Sequence, residues 1–187
     1  ILKKGLMKEL FTWGIPGGHK KFKKTEIGKI PDKWEVKTVR ELIDLCQYGL
    51  SKSLSLEPIG IPILRMNNLE GGEVNAKDLK YAILTKQEEK GYILKTGDLL
   101  FNRTNSRDLV GKVSIYRSGK KMSFASYLLR IKVNPKNVDS VWLNYYFNTD
   151  EIQDKLRNLA TPGVSQSNIN AKIMQSLKFR TPPPKEQ

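Results

Sequence analysis

Apolar positions along the chain recur at helical spacing near its two ends and alternate with polar positions in its middle. The first stripe has members four or five residues apart and so lies on one face of a predicted helix: Leu2, Leu6, Met7, Leu10 and Phe11. Gly and Pro residues between positions 14 and 18 end this helix. Aromatic and aliphatic residues over 138–160 predict a second helical region, with a break near 148–150.

The middle of the chain predicts strands that are joined by polar loops. The first predicted strand starts at Gln47 and runs into a polar loop that ends at Gly60. The other predicted strands cover 61–66, 79–83, 99–103, 110–116, 123–133 and 177–179. Residues 19–35 are predicted to form an irregular basic connector, and 67–76 a turn that contains glycine.

Three short helices are predicted between these strands. Thr38 and Thr85 are each followed by a Glu three residues later, which is the pattern of a capping box at the start of a helix. The third short helix covers 169–174. This order of elements predicts an α+β fold, with a bent, mainly antiparallel sheet and helices gathered on one side.

The length of the chain fits one domain with short segments at its ends. We interpret residues 1–18 as the end of a longer helix with its turn, 19–181 as the domain, and 182–187 as an exit that begins with three prolines. No apolar run approaches the roughly 20 residues of a membrane span. The first residues also lack the apolar core of a signal peptide, so we expect a cytoplasmic protein with no membrane partner.

The net charge indicates that the protein binds a partner that carries phosphates. Thirty-three Lys and Arg against 19 Asp and Glu give +14 at pH 7 and a pI near 9.8. Membrane-surface binding would concentrate this charge on one amphipathic helix, whereas here it recurs along the whole chain. Nucleic acid is therefore the expected partner.

The sequence lacks the residues that several kinds of catalysis require. Cys46 is the only cysteine and His19 the only histidine, which excludes a disulfide framework, a Cys/His zinc site and a Cys–His catalytic pair within this sequence. No glycine-rich phosphate loop follows a predicted strand, and the acidic residues do not pair as in metal-dependent nucleases. We expect no catalytic, cofactor-binding or metal-binding residue, and Cys46 is expected to be a core residue. A methyltransferase or nuclease fragment and a basic RNA-binding protein stay as alternatives.

Polar loops between the predicted strands supply the side chains that read base edges. Arg and Lys match guanine, Asn and Gln match adenine, and Ser and Thr suit phosphates. The candidate DNA-binding residues are Gln47, Tyr48, Lys52, Arg65, Asn67, Asn68, Asn102, Arg103, Asn105, Ser106, Arg107, Lys120, Lys121, Ser165 and Gln166. Asn102 and Asn105 are equally open to a role in shaping the loop, because Asn stabilises turns. Arg103 and Arg107 are harder to explain as turn residues, so DNA contact is favoured for them.

Five segments in order along the chain resemble the DNA-specificity subunit of type I restriction-modification systems. They are TEIGKIPDKWE (25–35), GDLLFNRTNSRDLVGK (97–112), SYLLRIKV (126–133), GVSQSNIN (163–170) and LKFRTPPPKEQ (177–187). The resemblance implies a target-recognition domain flanked by stumps of long spacer helices. Such subunits have two of these domains, each of which reads one half of a bipartite DNA site.

The resemblance also implies which partners and cofactors to expect. Modification subunits with S-adenosylmethionine methylate adenine N6, and restriction subunits with ATP and Mg cut unmodified DNA. These cofactors are expected only in the partner subunits, and none in this chain. The second recognition domain would lie in the same chain or in the partner of a homodimer.

Overall fold

The computed structural model describes residues 2–163 and 166–187, so the prediction for Ser165 lies outside the described residues. The helices are α1 (Leu2–Trp13), α2 (Val39–Leu42), α3 (Lys86–Tyr92), α4 (Ser140–Phe147), α5 (Asp150–Leu159) and α6 (Ala171–Ser176). Each predicted helix is present, including the break between α4 and α5. Both capping boxes also form: the backbone N–H groups of Thr38 and Thr85 donate to the carboxylates of Glu41 at 2.7 Å and Glu88 at 2.8 Å.

The strands are shorter and more numerous than the pattern predicts. In chain order they are β1 (Phe22–Thr25), β2 (Gly28–Pro31), β3 (Glu35–Thr38), β4 (Ile43–Tyr48), β5 (Ile61–Leu64), β6 (Leu69–Glu70), β7 (Glu73–Val74), β8 (Lys80–Ala82), β9 (Leu99–Asn102), β10 (Thr104–Asn105), β11 (Val113–Ile115), β12 (Ser123–Phe124), β13 (Leu128–Val133), β14 (Ser167–Asn168) and β15 (Lys178–Thr181). A single 3₁₀ turn, Met66–Asn68, lies between β5 and β6.

The main sheet has six strands in the order β4-β13-β9-β11-β7-β6, antiparallel except for the β11–β7 pair. A second sheet, β12-β5-β8, joins a parallel and an antiparallel pair. Three two-stranded pairs complete the fold: β1–β2, β10–β14 and β3–β15. The predicted α+β class with a mainly antiparallel sheet is therefore confirmed.

Alternation along β13 separates the two sides of the main sheet. Leu129 and Ile131 join the larger core cluster, together with residues of α2, α4, α5 and α6. Leu128 joins a second cluster with Phe124 on the opposite side. Helix α3 lies on that opposite side, where Arg130 donates to backbone carbonyls at the end of the helix. Most helices therefore share one side, as predicted, and α3 is the exception.

The prediction of an irregular connector over 19–35 is wrong, because this segment contains the β1–β2 hairpin. Gly28 has a φ of 105°, which suits the turn between the two strands. Ile30 has no exposed surface and anchors β2. The predicted turn over 67–76 likewise contains the short β6–β7 hairpin, which closes through Gly71 and Gly72 at φ values of 59° and 87°.

Candidate nucleic-acid interface

Four segments that are distant in the sequence meet at one end of the main sheet, where β4 and β9 end and β13 begins. Strand β10 pairs with β14, so that Thr104 lies opposite Asn168. The N–H of Ile169 donates to the carbonyl of Arg103 at 2.8 Å. The N–H of Arg103 donates to the carbonyl of Tyr127 at 3.0 Å. We define the Arg103 edge by Tyr48, Arg103, Asn105, Tyr127 and Asn168.

The guanidinium of Arg103 is held in place from two directions. Its Nη2 donates to Oδ1 of Asn168 at 3.1 Å. Its central carbon lies 5.1 Å from the centre of the Tyr48 ring, within the range of a cation–π contact. The hydroxyl of Tyr48 in turn accepts from the N–H of Ala171 at 3.2 Å. The half-buried Arg103 is thus preorganised rather than free to sample rotamers.

One donor of Arg103 has no protein partner. Its Nε is buried and makes no hydrogen bond within the described residues. An arginine carries five N–H donors in a fixed fork, and a buried donor without a partner is unfavourable. Because this nitrogen is buried, a partner of the edge would have to bind the terminal nitrogens of the guanidinium.

The loop after Arg103 presents a second arginine. The side-chain oxygen of Asn105 accepts from the N–H of Ser106 at 2.8 Å, which fixes the start of the turn. The carbonyl of Ser106 accepts from the N–H groups of Leu109 and Val110 at 3.0 and 2.9 Å. Arg107 lies exposed within this turn and forms no ion pair among the described residues. Asn105 thus shapes the loop, whereas Arg107 is available to a partner.

Two members of the edge were missed in the sequence analysis. Tyr127 is 45% exposed, as is Tyr48. The sequence predicts one continuous strand over 123–133, but the chain leaves β12 at Phe124 and turns before β13 begins, which exposes Tyr127. Asn168 lies in one of the polar loops noted above, and only its pairing with β10 reveals that it contacts Arg103.

Asn68 and Asn102 lie in the interior, with 1% and 0% of their surface exposed. Oδ1 of Asn68 accepts from the N–H of Arg65 at 2.8 Å, and its Nδ2 donates to two carbonyls in the 75–77 loop at 3.0 and 2.8 Å. Nδ2 of Asn102 donates to the carbonyl of Leu109 at 3.4 Å. The structure therefore assigns both side chains to loop support instead of the predicted DNA contact, because neither offers surface to a partner.

Replacing Asn68 with alanine should lower the free energy of unfolding by about 1–3 kcal/mol, because three backbone groups lose their partner at once. Urea unfolding followed by tryptophan fluorescence measures the change. Asn67 is exposed and provides the matched control, for which Asn67→Ala should stay within about 0.5 kcal/mol of the unsubstituted protein. Equal stability of the two variants would contradict the assignment.

Gln47 is half-buried and forms hydrogen bonds within the protein. Its Oε1 accepts from Nη2 of Arg130, whose guanidinium donates to the carbonyls of Gly91 and Ile93 at 2.6 and 2.9 Å. Arg130 further lies 3.7 Å from Oδ2 of Asp98, and both side chains are under 7% exposed. Burial raises the pKa of Asp98 and lowers that of Arg130, so each charge depends on the other. Gln47 is half-buried and bonded to Arg130, and its contact with DNA stays a prediction.

Three of the other predicted contacts, Lys52, Arg65 and Lys121, lie around α3 and the second sheet. Lys52 pairs with Glu88 at 2.7 Å, and Lys121 pairs with Glu89 at 2.7 Å. Nη2 of Arg65 donates to the carbonyl of Asp78 at 2.7 Å. Exposed and half-buried residues of the predicted set also include Asn67, Lys120 and Gln166. Their contacts with DNA stay predictions, and the recorded partners of Lys52, Arg65 and Lys121 lie outside the Arg103 edge.

Burial explains the chemistry of the lone cysteine. Cys46 packs against the larger core cluster, and burial raises the pKa of its thiol to about 11. The thiol therefore stays protonated and unreactive at neutral pH, as expected for a core residue.

Within residues 2–163 and 166–187, no cluster of three or more His, Cys, Asp or Glu side chains could hold a metal ion. No helix in the same ranges combines the length and apolar character needed to cross a membrane.

Comparison with known proteins identifies the family to which the chain belongs. The sequence model of the type I restriction modification DNA specificity domain matches residues 31–187. The chain therefore belongs to that family, which confirms the resemblance noted in the sequence.

Individual relatives agree with this assignment. The chain is 32% identical over 168 residues to the putative type I restriction enzyme MjaX specificity subunit of Methanocaldococcus jannaschii, covering 89% of this chain and 40% of that protein. It is 24% identical over 173 residues to the EcoKI specificity subunit of Escherichia coli, covering 86% of this chain and 37% of that protein. The chain thus spans about two fifths of the length of these relatives.

A solved structure shares the fold. The crystal structure of the HsdS subunit from Thermoanaerobacter tengcongensis aligns with 99% of this chain and 39% of that chain, with a TM-score of 0.64 and 17% sequence identity. At this level of identity the likeness supports the architecture alone.

Proposed function

We propose that this chain is a sequence-specific double-stranded DNA recognition module of a type I restriction-modification enzyme, and that it reads one half of a bipartite target. The observation that carries the proposal is the Arg103 edge. There, the guanidinium of half-buried Arg103 is fixed by Asn168 and Tyr48, beside the exposed rings of Tyr48 and Tyr127. Family membership supports the same function.

The chemistry of the edge suits a DNA groove. The two N–H groups of an arginine fork match O6 and N7 of guanine in the major groove. The exposed rings of Tyr48 and Tyr127 add apolar surface with hydroxyl groups beside that fork. The net charge of +14 supplies attraction to phosphates, which positions the protein without reading sequence.

The proposal divides labour between this chain and its partners. The chain recognises the target sequence and catalyses no reaction. Modification subunits with S-adenosylmethionine methylate adenine N6, and restriction subunits with ATP and Mg cleave DNA. A second recognition domain, in the complete subunit or in a homodimer, reads the other half of the site. The assembly acts on the chromosome, so the proposed location is the cytoplasm.

Domain exchange in cells tests this function directly. Genomic adenine methylation is mapped for the intact system and for one in which this domain is replaced by another recognition domain. The methylated motif should change in one half and stay the same in the other. A motif that is unchanged in both halves would refute the proposal.

The geometry of Tyr48 favours duplex DNA over single-stranded RNA. RNA-binding sheets present open aromatic faces on which unpaired bases stack. Here the guanidinium of Arg103 lies over the Tyr48 ring, so one face of that ring is already occupied. In competition binding, we expect duplex DNA with the target half-site to displace labelled duplex at lower concentration than any single-stranded RNA. The reverse order would favour an RNA-binding protein.

A further inference from the structure

Three segments meet at the carboxylate of Glu186. Nε2 of His19, in the segment after α1, lies 2.6 Å from Oε1 of Glu186. Nε1 of Trp34, at the end of the β1–β2 region, donates to Oε2 at 3.0 Å. An ionised carboxylate only accepts, so both of its oxygens are used to join segments that precede it by more than 150 residues.

This cluster is shielded from water. The side chains of His19 and Glu186 are 13% and 19% exposed, and Trp34 is 1% exposed. The His19 ring also packs edge-on against that of Trp34, with centroids 5.9 Å apart. Hydrogen bonds in such surroundings are stronger than those of exposed ion pairs, and the buried indole N–H would lose its partner without Glu186. We call His19, Trp34 and Glu186 the Glu186 latch.

The end of α1 fits tightly against the latch. Gly14 is buried, and its φ of 78° follows the last helical turn. A Cβ at this position would lie 2.5 Å from Nε2 of His19 and 2.8 Å from Oε1 of Glu186. There is therefore no space for a side chain between the end of the helix and the latch.

The residue after Glu186 ties the same segment to the domain. Oε1 of Gln187 accepts from the N–H of Asp139, the residue that caps α4, at 2.7 Å. Its Nε2 donates to the carbonyls of Asn137 and Pro182 at 3.2 and 2.9 Å. The latch is therefore anchored to the helical layer that supports the main sheet.

Helix α1 also contacts the domain through two of its aromatic side chains. The ring of Trp13 meets that of Phe22 in β1 edge-on, with centroids 5.8 Å apart. Phe11 stacks on Tyr146 with ring centroids 4.9 Å apart and tilts against Trp142 at 5.5 Å. Grooves of about 850 and 490 Å³ flank the helix on its two sides, and Leu6 is 52% exposed. Contacts at Phe11, at Trp13 and at Gly14 together define the direction of the helix, and the contact at Gly14 is the one that involves Glu186.

We propose that Glu186 is a positioning residue that fixes the direction of α1 relative to the Arg103 edge. This inference rests on the proposed function, because a fixed direction matters when the edge must read its half-site at a set distance from the other half. The latch then contributes to discrimination between targets with different numbers of base pairs between their halves. The base sequence that the Arg103 edge reads does not depend on it.

Spacing preference in the assembled enzyme tests the latch. The complete specificity subunit that contains this domain is assembled with its modification subunits. Adenine methylation rates are measured on duplexes whose halves are separated by the preferred spacing or by one base pair more or less. In Glu186→Ala, the preference for the correct spacing should fall roughly tenfold, since a misplacement of about 1 Å changes rates by up to about a hundredfold. Glu186→Gln retains an acceptor for Trp34 and should lose less.

Two further variants make the outcome decisive. Glu73→Gln, which breaks the exposed pair with Arg117, is the matched control and should keep the normal spacing profile. His19→Ala removes the contact with Oε1 and the ring contact with Trp34 but keeps the bond from Trp34 to Glu186, and it decides the question if Glu186→Ala does not fold. An unchanged spacing profile, or a loss that is equal at all spacings, would overturn the latch and leave the proposed function intact. If the unsubstituted enzyme methylates no two-part site, the proposed function itself fails.

Discussion

Replacing Arg103 with alanine should abolish the preference of the protein for one base pair of its half-site. The guanidinium is fixed over Tyr48 and by Asn168, so it arrives at a base edge with little rotamer entropy left to lose. The loss of one bidentate arginine contact corresponds to about 1–3 kcal/mol of discrimination, which is roughly five- to 150-fold in relative affinity. Binding titrations against four duplexes that differ at a single position measure this preference.

Arg103→Lys separates base reading from charge. Lysine keeps the positive charge but not the planar fork, so specificity at that position should fall while the salt dependence of binding stays the same. Arg117→Ala is the matched control, because this exposed arginine pairs with Glu73 outside the Arg103 edge. If Arg103→Ala weakens binding equally on all four duplexes, Arg103 contacts phosphate or supports the loop, and base reading is excluded for it.

The fold was predictable from the sequence wherever one local signal acted alone. The capping boxes at Thr38 and Thr85 started helices, and the break between α4 and α5 was visible as a polar interruption near 148–150. Strand ends were less predictable because they depend on distant partners. The strand predicted from Gln47 starts at Ile43, since β13 continues to pair with it along its whole length. Short hairpins such as β1–β2 carry too few apolar residues to produce a clear alternation.

The candidate site was predictable by residue type and not by burial. Arg and Asn in loops identified segments that the structure brings together at the Arg103 edge, where Arg103 is half-buried and Arg107 is exposed. Asn68, Asn102 and Gln47 belong to the same residue types but bond within the protein, because each lies where a loop or helix end needs a polar partner. This difference depends on contacts over long sequence separations. A single sequence shows the donors and acceptors but not the surface that they share.

Removing the Arg130 side chain should produce the largest loss of stability among single substitutions of buried polar groups in this protein. Arg130→Ala leaves Asp98 without its opposite charge in a site that is only 4% exposed. It also leaves the carbonyl of Ile93 without its donor, and that of Gly91 with only the 3.4 Å hydrogen bond from Nε2 of Gln47. Breaking one partner of a buried pair typically destabilises a protein by about 3–5 kcal/mol. Urea unfolding at pH 7 measures the change in the free energy of unfolding.

A double variant shows whether charge or hydrogen bonding dominates this loss. Arg130→Met with Asp98→Leu removes both charges, so the part of the loss that comes from the unpaired carboxylate should be recovered. Recovery should stay incomplete, because Gln47, Gly91 and Ile93 still lack the donors that Arg130 supplied. Gln47 precedes Tyr48 in β4, so the double variant should also loosen the support beneath Arg103 and weaken base discrimination at the edge. If the double variant is as stable as the unsubstituted protein and reads DNA equally well, the buried pair has no part in positioning the Arg103 edge.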